Sequence, residues 1–166
     1  MIDKKIEDGF NSQINAELYS AYLYLSMAAY FESENFKGFG KWMREQSLEE
    51  SKHAMKFYDH IMERGGKVTL KPIEGPKTEW KSPLDAFEDA YSHEQKVTAM
   101  INGLVELTAS EKDNPGNSML QWFVDEQVEE ERNAREIVAF LKRIKDAGGA
   151  LMMIDHRLGK RGQKKE

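Results

Sequence analysis

Traced in steps of three and four, the apolar positions of this chain fall into four long stripes, the pattern of helices that each bury one face. The first stripe runs Phe10, Ile14, Glu17, Ala21, Tyr24, Ala28, Phe31, and the second Phe39, Met43, Gln46, Glu50, His53, Phe57, Ile61. The third reads Phe87, Tyr91, Glu94, Thr98, Ile101, Val105, and the fourth Phe123, Gln127, Glu130, Ala134, Ile137, Leu141. No alternating strand pattern competes, so the chain is predicted to be all-α and a single domain over 1–166, with helices over about 3–33, 36–64, 83–112 and 115–147. Each would be roughly 40 to 50 Å long. A short fifth helix is expected over about 150–158, and the basic tail 159–166 is expected to be disordered.

The punctuation between stripes predicts how the helices connect. Ser82-Pro83 with Asp85 forms a helix start with proline in the first turn, and Asp113-Asn114-Pro115 repeats that logic. Gly148-Gly149 should stop the fourth helix. Tight joins make the first and second helices antiparallel, and likewise the third and fourth. The stretch from Gly65 to Ser82 carries Pro72 and Pro76 and could span roughly 60 Å if extended. That is enough to cross a whole bundle, which sets the second and third helices parallel. The prediction is a four-helix bundle with one long crossover connection.

Each stripe carries an acid near its middle: Glu17, Glu50, Glu94 and Glu130, one from each helix. Four carboxylates meeting in a dry core would repel one another and lose hydration, at several kcal/mol each. Protonation would relieve this, but a bound cation explains it better. Spacing adds to the case. Glu50 and His53 stand three apart on one helix face, and Gln127 and Glu130 repeat the interval. Four carboxylates also match the charge of two divalent cations.

Composition narrows the chemistry. The chain has no cysteine, which excludes disulfides, thiolate metal sites and thiol nucleophiles. Any metal would be held by carboxylate, imidazole, amide or water, a set that favours hard or borderline ions such as iron. A net charge of −5 gives no support to nucleic-acid binding. No stretch approaches the length of a membrane span and the N-terminus has no apolar signal core, so a cytoplasmic protein without membrane or nucleic-acid partners is expected.

At Gln13-Ile14-Asn15-Ala16-Glu17, at Glu49-Glu50-Ser51-Lys52-His53 and at the Gln127 and Glu130 pair, the sequence resembles the haem-free ferritins of bacteria and archaea, and the likeness covers nearly the whole chain. The resemblance implies a ferritin-like bundle that stores iron and oxidises Fe(II) with O2 or H2O2 at a di-iron ferroxidase centre. Glu17, Glu50 and His53 would hold one iron, with Glu50 bridging to a second held by Glu94 and Glu130. Gln127 would lie close to that second ion, and Tyr24 beside the centre. Haem-carrying relatives have methionine where this chain has Lys52, so no haem is expected.

The family also implies a third iron position from Glu49, Glu126 and Glu129, with Glu130 shared. Glu49 and Glu129 lie off the stripes and equally fit a solvated acidic face. Tyr24 fits either a redox or ligand-bonding role or ordinary core packing, and packing is the expected role of Trp122. His60, His93 and His156 belong to no constellation.

Assembly leaves its own trace. A second stripe on the first helix, Leu18, Tyr22, Leu25 and Ala29, reads as a partner surface. The resemblance implies a homo-oligomeric hollow shell of 24 subunits, with Leu151, Ile154 and Leu158 of the fifth helix packing at a symmetry axis. Two rival readings are a peroxide-reducing or oxygen-activating di-iron enzyme and a purely structural bundle. The first would bring a cysteine-rich module or a second Glu-x-x-His pair, and the second leaves the core acids unexplained.

Overall fold

A computed structural model describes residues 1–145 and 147–162. Five helices follow one another: α1 (Lys4–Ser33), α2 (Lys37–Glu63), α3 (Pro83–Ser110), α4 (Asn114–Ile144) and α5 (Gly148–Leu158). Among the described residues there is no strand, and no helix is long and apolar enough to cross a membrane.

The starts of the helices show how local sequence and tertiary packing share the work. Asp3 accepts from the Lys5 N–H to cap α1. Ser82 accepts from the Asp85 N–H, with Pro83 in the first turn, and the Asp85 carboxylate reaches back to the Lys81 N–H at 2.9 Å. Asp113 occupies the N-cap position of α4 but makes no capping bond. Its carboxylate is instead committed to the Arg64 guanidinium at 2.6 and 2.8 Å, an ion pair across the bundle end. Gly148 and Gly149, expected to end the fourth helix, are the first residues of α5, and α4 has already stopped at Ile144.

Two apolar clusters fix the directions of the rods. One gathers Phe31 from the end of α1, Phe39 and Met43 from the start of α2, Phe87 from the start of α3 and Leu141 from late α4. The other gathers Phe10, Phe57, Ile101 and Phe123, from the opposite parts of the same four helices. So α1 and α2 run antiparallel, as do α3 and α4, while α2 and α3 are parallel. The crossover follows α1 along its length. Asn11 holds Lys67 and Thr69, Asn15 holds Pro72 and Ser26 holds Lys77. Buried Trp80 ends it, bonded to Asp89.

On α1, α2 and α4 every residue of the predicted core stripe is buried. On α3 the buried face is rotated: Ala90, Val97 and Leu104 point inward, and Tyr91, Thr98 and Val105 are half-buried at its edge. Glu94 stays inside in either register.

The fifth helix docks on the start of α2. The α2 N-cap, Phe36, has no side-chain capping bond, and Asp155 of α5 takes the free Phe39 N–H at 2.8 Å. The approach is close enough that a Cβ on Gly38 would overlap the Asp155 carbonyl, so only glycine fits there. The tail does not simply leave the surface. Residues 159–162 turn back, and Arg161 lies against Trp42, Gln46 and Glu49. Residues 163–166 lie outside the described residues.

Candidate metal centre

Between the two apolar clusters lies a polar belt contributed by all four long helices. Glu17, Gln46, Glu50, His53, Glu94, Gln127 and Glu130 are each at most 4% exposed. Helical spacing stacks Gln46, Glu50 and His53 on one face of α2, so a single rod delivers an amide, an acid and an imidazole to the same depth.

His53 is the hub. Its Nδ1 faces Glu50 Oε2 at 3.3 Å and Glu17 Oε2 at 3.9 Å, while its Nε2 faces Glu126 Oε1 at 3.8 Å. Two groups of closely spaced ligand atoms result among the described residues, Glu17 with Glu50 and His53, and His53 with Glu126 and Glu130, the atoms of each within 4.8 Å of one another. Glu94 belongs to neither. It accepts from the Tyr24 hydroxyl and from Gln127 Nε2 at 3.2 Å. Gln127 also reaches Thr98 Oγ1 at 3.3 Å, and Thr98 donates to Glu131 at 2.6 Å.

The three acids expected to form an accessory position are not gathered together. Glu126 is the one beside His53 and Glu130. Glu49 is bonded to Arg161, and Glu129 is exposed with Arg132 at 3.7 Å.

Sequence reasoning gave no role to several groups that shape the belt. Gln13 donates to Glu17 Oε1 at 2.8 Å. Gln46 Nε2 donates to Glu50 Oε1 at 3.0 Å and to Glu130 Oε2 at 2.7 Å, tying α2 to α4. Both were legible as polar residues on apolar faces. His93 bonds Ser20 at 2.7 Å and packs edge-on against Tyr24. Burial holds its imidazole down at about 4, so it is neutral. Trp122 is not a core residue. It is 39% exposed, edge-on to His53, with the Lys56 ammonium 4.1 Å from its ring centre.

Electrostatics set the belt apart. Burial, and then the neighbouring Glu50, raise the Glu17 carboxyl to about 8. Burial and Glu94 raise Glu130 to about 8. Burial raises Glu94 to about 7, against the opposing hydrogen bonds of Tyr24 and Gln127. Glu50, between these acids, is pushed well above the carboxylate range, first by burial and then by Glu94 and Glu130. Burial also raises Glu126. Glu17 Oε2 is buried with no hydrogen-bond partner. A carboxylate oxygen without a donor, within reach of an imidazole and a second carboxylate, is what a cation would satisfy. The donor set of oxygens and one imidazole fits iron.

A family model described as a ferritin-like domain matches residues 7–144. A bacterial non-heme ferritin of Bacteroides fragilis is 45% identical over 97% of this chain and 100% of its own. A bacterial non-heme ferritin of Staphylococcus aureus is 37% identical, covering 97% of each chain. Among solved structures, an open-pore ferritin from the hyperthermophilic archaeon Archaeoglobus fulgidus superimposes with a TM-score of 0.96 at 52% identity, over 97% of this chain and 99% of the other. A version of that ferritin engineered into a closed form gives 0.97 at 51% identity, over 99% and 100%.

Proposed function

Because the chain belongs to the ferritin family, we propose that it stores iron and oxidises Fe(II) at the polar belt, with O2 or H2O2 as oxidant. Glu17, Glu50 and His53 hold one iron. Glu50 bridges to a second held by Glu94 and Glu130, with Gln127 beside it. The observation that carries this reading is the unpartnered Glu17 Oε2, sharing a dry pocket with Glu50 and the His53 imidazole.

The chemistry follows from the charges. The buried carboxyls favour their protonated forms when no cation is present, so arriving Fe(II) displaces protons and is neutralised by the carboxylates left behind. Oxygen donors stabilise Fe(III) more than Fe(II), which makes the bound ion a stronger reductant. Two Fe(II) ions held side by side give one electron each, and O2 with two protons becomes hydrogen peroxide; with H2O2 as oxidant the product is water. Tyr24, whose hydroxyl donates to Glu94, orients that ligand. Its phenol is held well above its ordinary range by burial and then by Glu94, so the proton stays on the oxygen.

An accessory third position would use Glu126, already beside His53 and Glu130, together with Glu49 and Glu129 once these leave Arg161 and Arg132. The ferric product needs an enclosed volume that one bundle lacks, so copies of this chain build a homo-oligomeric shell, in the 24-subunit form. The exposed strip of Tyr22 and Leu25 on α1 supplies one contact between copies, and α5 supplies another.

Aerobic addition of Fe(II) to the wild type and to Glu50→Ala, followed by ferric absorbance, tests the centre. Rapid oxidation of about two irons per subunit is expected in the wild type and its loss in the variant. Equal early rates would defeat the assignment.

A further inference from the structure

Arg161 is one residue outside the four helices with a direct line to the belt. Its Nη1 donates to Gln46 Oε1 at 2.8 Å and to the Trp42 carbonyl at 3.3 Å. Its Nη2 donates to Glu49 Oε2 at 2.6 Å, and the guanidinium lies 4.3 Å from the Trp42 ring centre. The side chain is 20% exposed and that of Glu49 38%. The bond is therefore partly withdrawn from water and stronger than a surface pair.

Gln46 passes this contact inward. Guanidinium only donates, so Arg161 by itself dictates the orientation of the buried amide. Its oxygen must face Arg161 and its nitrogen must face Glu50 and Glu130. Removing Arg161 removes the reason for that orientation. The arm itself is placed by α5, which is clamped to α2 through Asp155, and it is flanked by Gly159 and by Gly162 in the left-handed region at φ 75°.

We propose that Arg161 is a tethered counter-cation of the acidic wall between α2 and α4. It occupies Glu49 and fixes Gln46 when the wall holds no metal, and a divalent cation that takes Glu49 displaces it. The guanidinium and the metal ion are alternatives for one carboxylate. Binding at the accessory position therefore competes against an internal cation, and its success releases the Gln46 amide that holds Glu50 and Glu130. Arg161 is a positioning residue in this scheme, acting through Gln46 and Glu49. The inference rests on the reading of Glu49 as a metal ligand.

Calorimetric titration of the assembled, iron-free protein with Zn(II), a redox-inert divalent ion, separates the two readings. Arg161→Gln should leave the early class of ions, the one sensitive to Glu50→Ala, unchanged in number. It should tighten the later class by about three- to tenfold. Arg161→Lys should fall between, because it keeps a charge near Glu49 but lacks the fork that also reaches Gln46. Emission gives a second readout. In a Trp122→Phe background, which removes the indole beside His53, the later Zn(II) ions should change Trp42 emission, and Arg161→Gln should abolish that change. A later class of equal affinity with and without Arg161, or no later class in either protein, overturns the inference while leaving the early class standing. Loss of the early class from the wild type would instead count against the centre itself.

Discussion

The two ends of this bundle and its waist are built on opposite principles. At the ends, Phe31, Phe39 and Phe87 on one side and Phe10, Phe57 and Phe123 on the other are each at most 1% exposed and pack ring against ring. Their burial drives folding and sets the direction of every rod. At the waist the same four rods bury acids, amides and an imidazole, which oppose folding unless protons or cations compensate them. The ends specify the fold, and the waist draws on the stability they supply in order to gather charge where water is scarce.

That contrast can be broken from either side. The largest stability effect should come from the apolar end. Phe31→Ala leaves a cavity at a fully buried site against Phe39 and Phe87, at a cost of about 3–5 kcal/mol. Denaturant midpoints would measure this, and Zn(II) stoichiometry should not change. A loss of metal binding equal to the loss of stability would show that ends and waist are not separable.

At the waist the expected effect is on how stability depends on pH. Glu17 and Glu130 are raised to about 8 from the ordinary 4.5 of the unfolded chain. Between those values the folded iron-free protein holds more protons than the unfolded one, so its stability falls as pH rises from about 4.5 through about 8. Thermal midpoints of the iron-free protein should drop across that window. Those of the Zn(II)-loaded protein should drop less, and Glu17→Gln, which removes a charge with no donor on one oxygen, should flatten the iron-free slope. A parallel fall in all three would mean that the buried acids are not its source.

The smallest effect should be that of Tyr24→Phe, which keeps the ring and deletes the hydroxyl donated to Glu94. A loss of about 1 kcal/mol is expected. A cost as large as that of Phe31→Ala would show that Tyr24 binds the waist as strongly as the rings bind the ends.

The waist residues were legible because an acid at a core position violates the helical pattern, and four such violations on four stripes align. Glu17, Glu50 and His53 come together as their spacing requires. On α3, Phe87, Glu94 and Ile101 are buried as the stripe requires, but Tyr91, Thr98 and Val105 each stand one position from the buried Ala90, Val97 and Leu104, because periodicity locates a stripe but not its edge. Gly148 and Gly149 read as a stop because glycine disfavours helix locally, while α5 is held by a distant contact from Asp155 to the Phe39 N–H. Arg161 was hidden for a related reason. A run of basic residues after a short helix reads as solvated tail, and only the folded chain brings it to Trp42 and Glu49. Trp122 shows the limit of composition alone: an aromatic beside a core stripe is half-exposed once α4 is in place.

The missing methyl at Gly38 makes α2 a lever. Its fulcrum lies under α5, and Glu50 rides about 18 Å further along at 1.5 Å per residue. A tilt of about 3° at the fulcrum swings Glu50 by about 1 Å, more than the roughly 0.5 Å that a metal-ligand constellation tolerates. A side chain at position 38 would therefore be felt as misalignment at the Glu50 carboxylate, long before it was felt as unfolding.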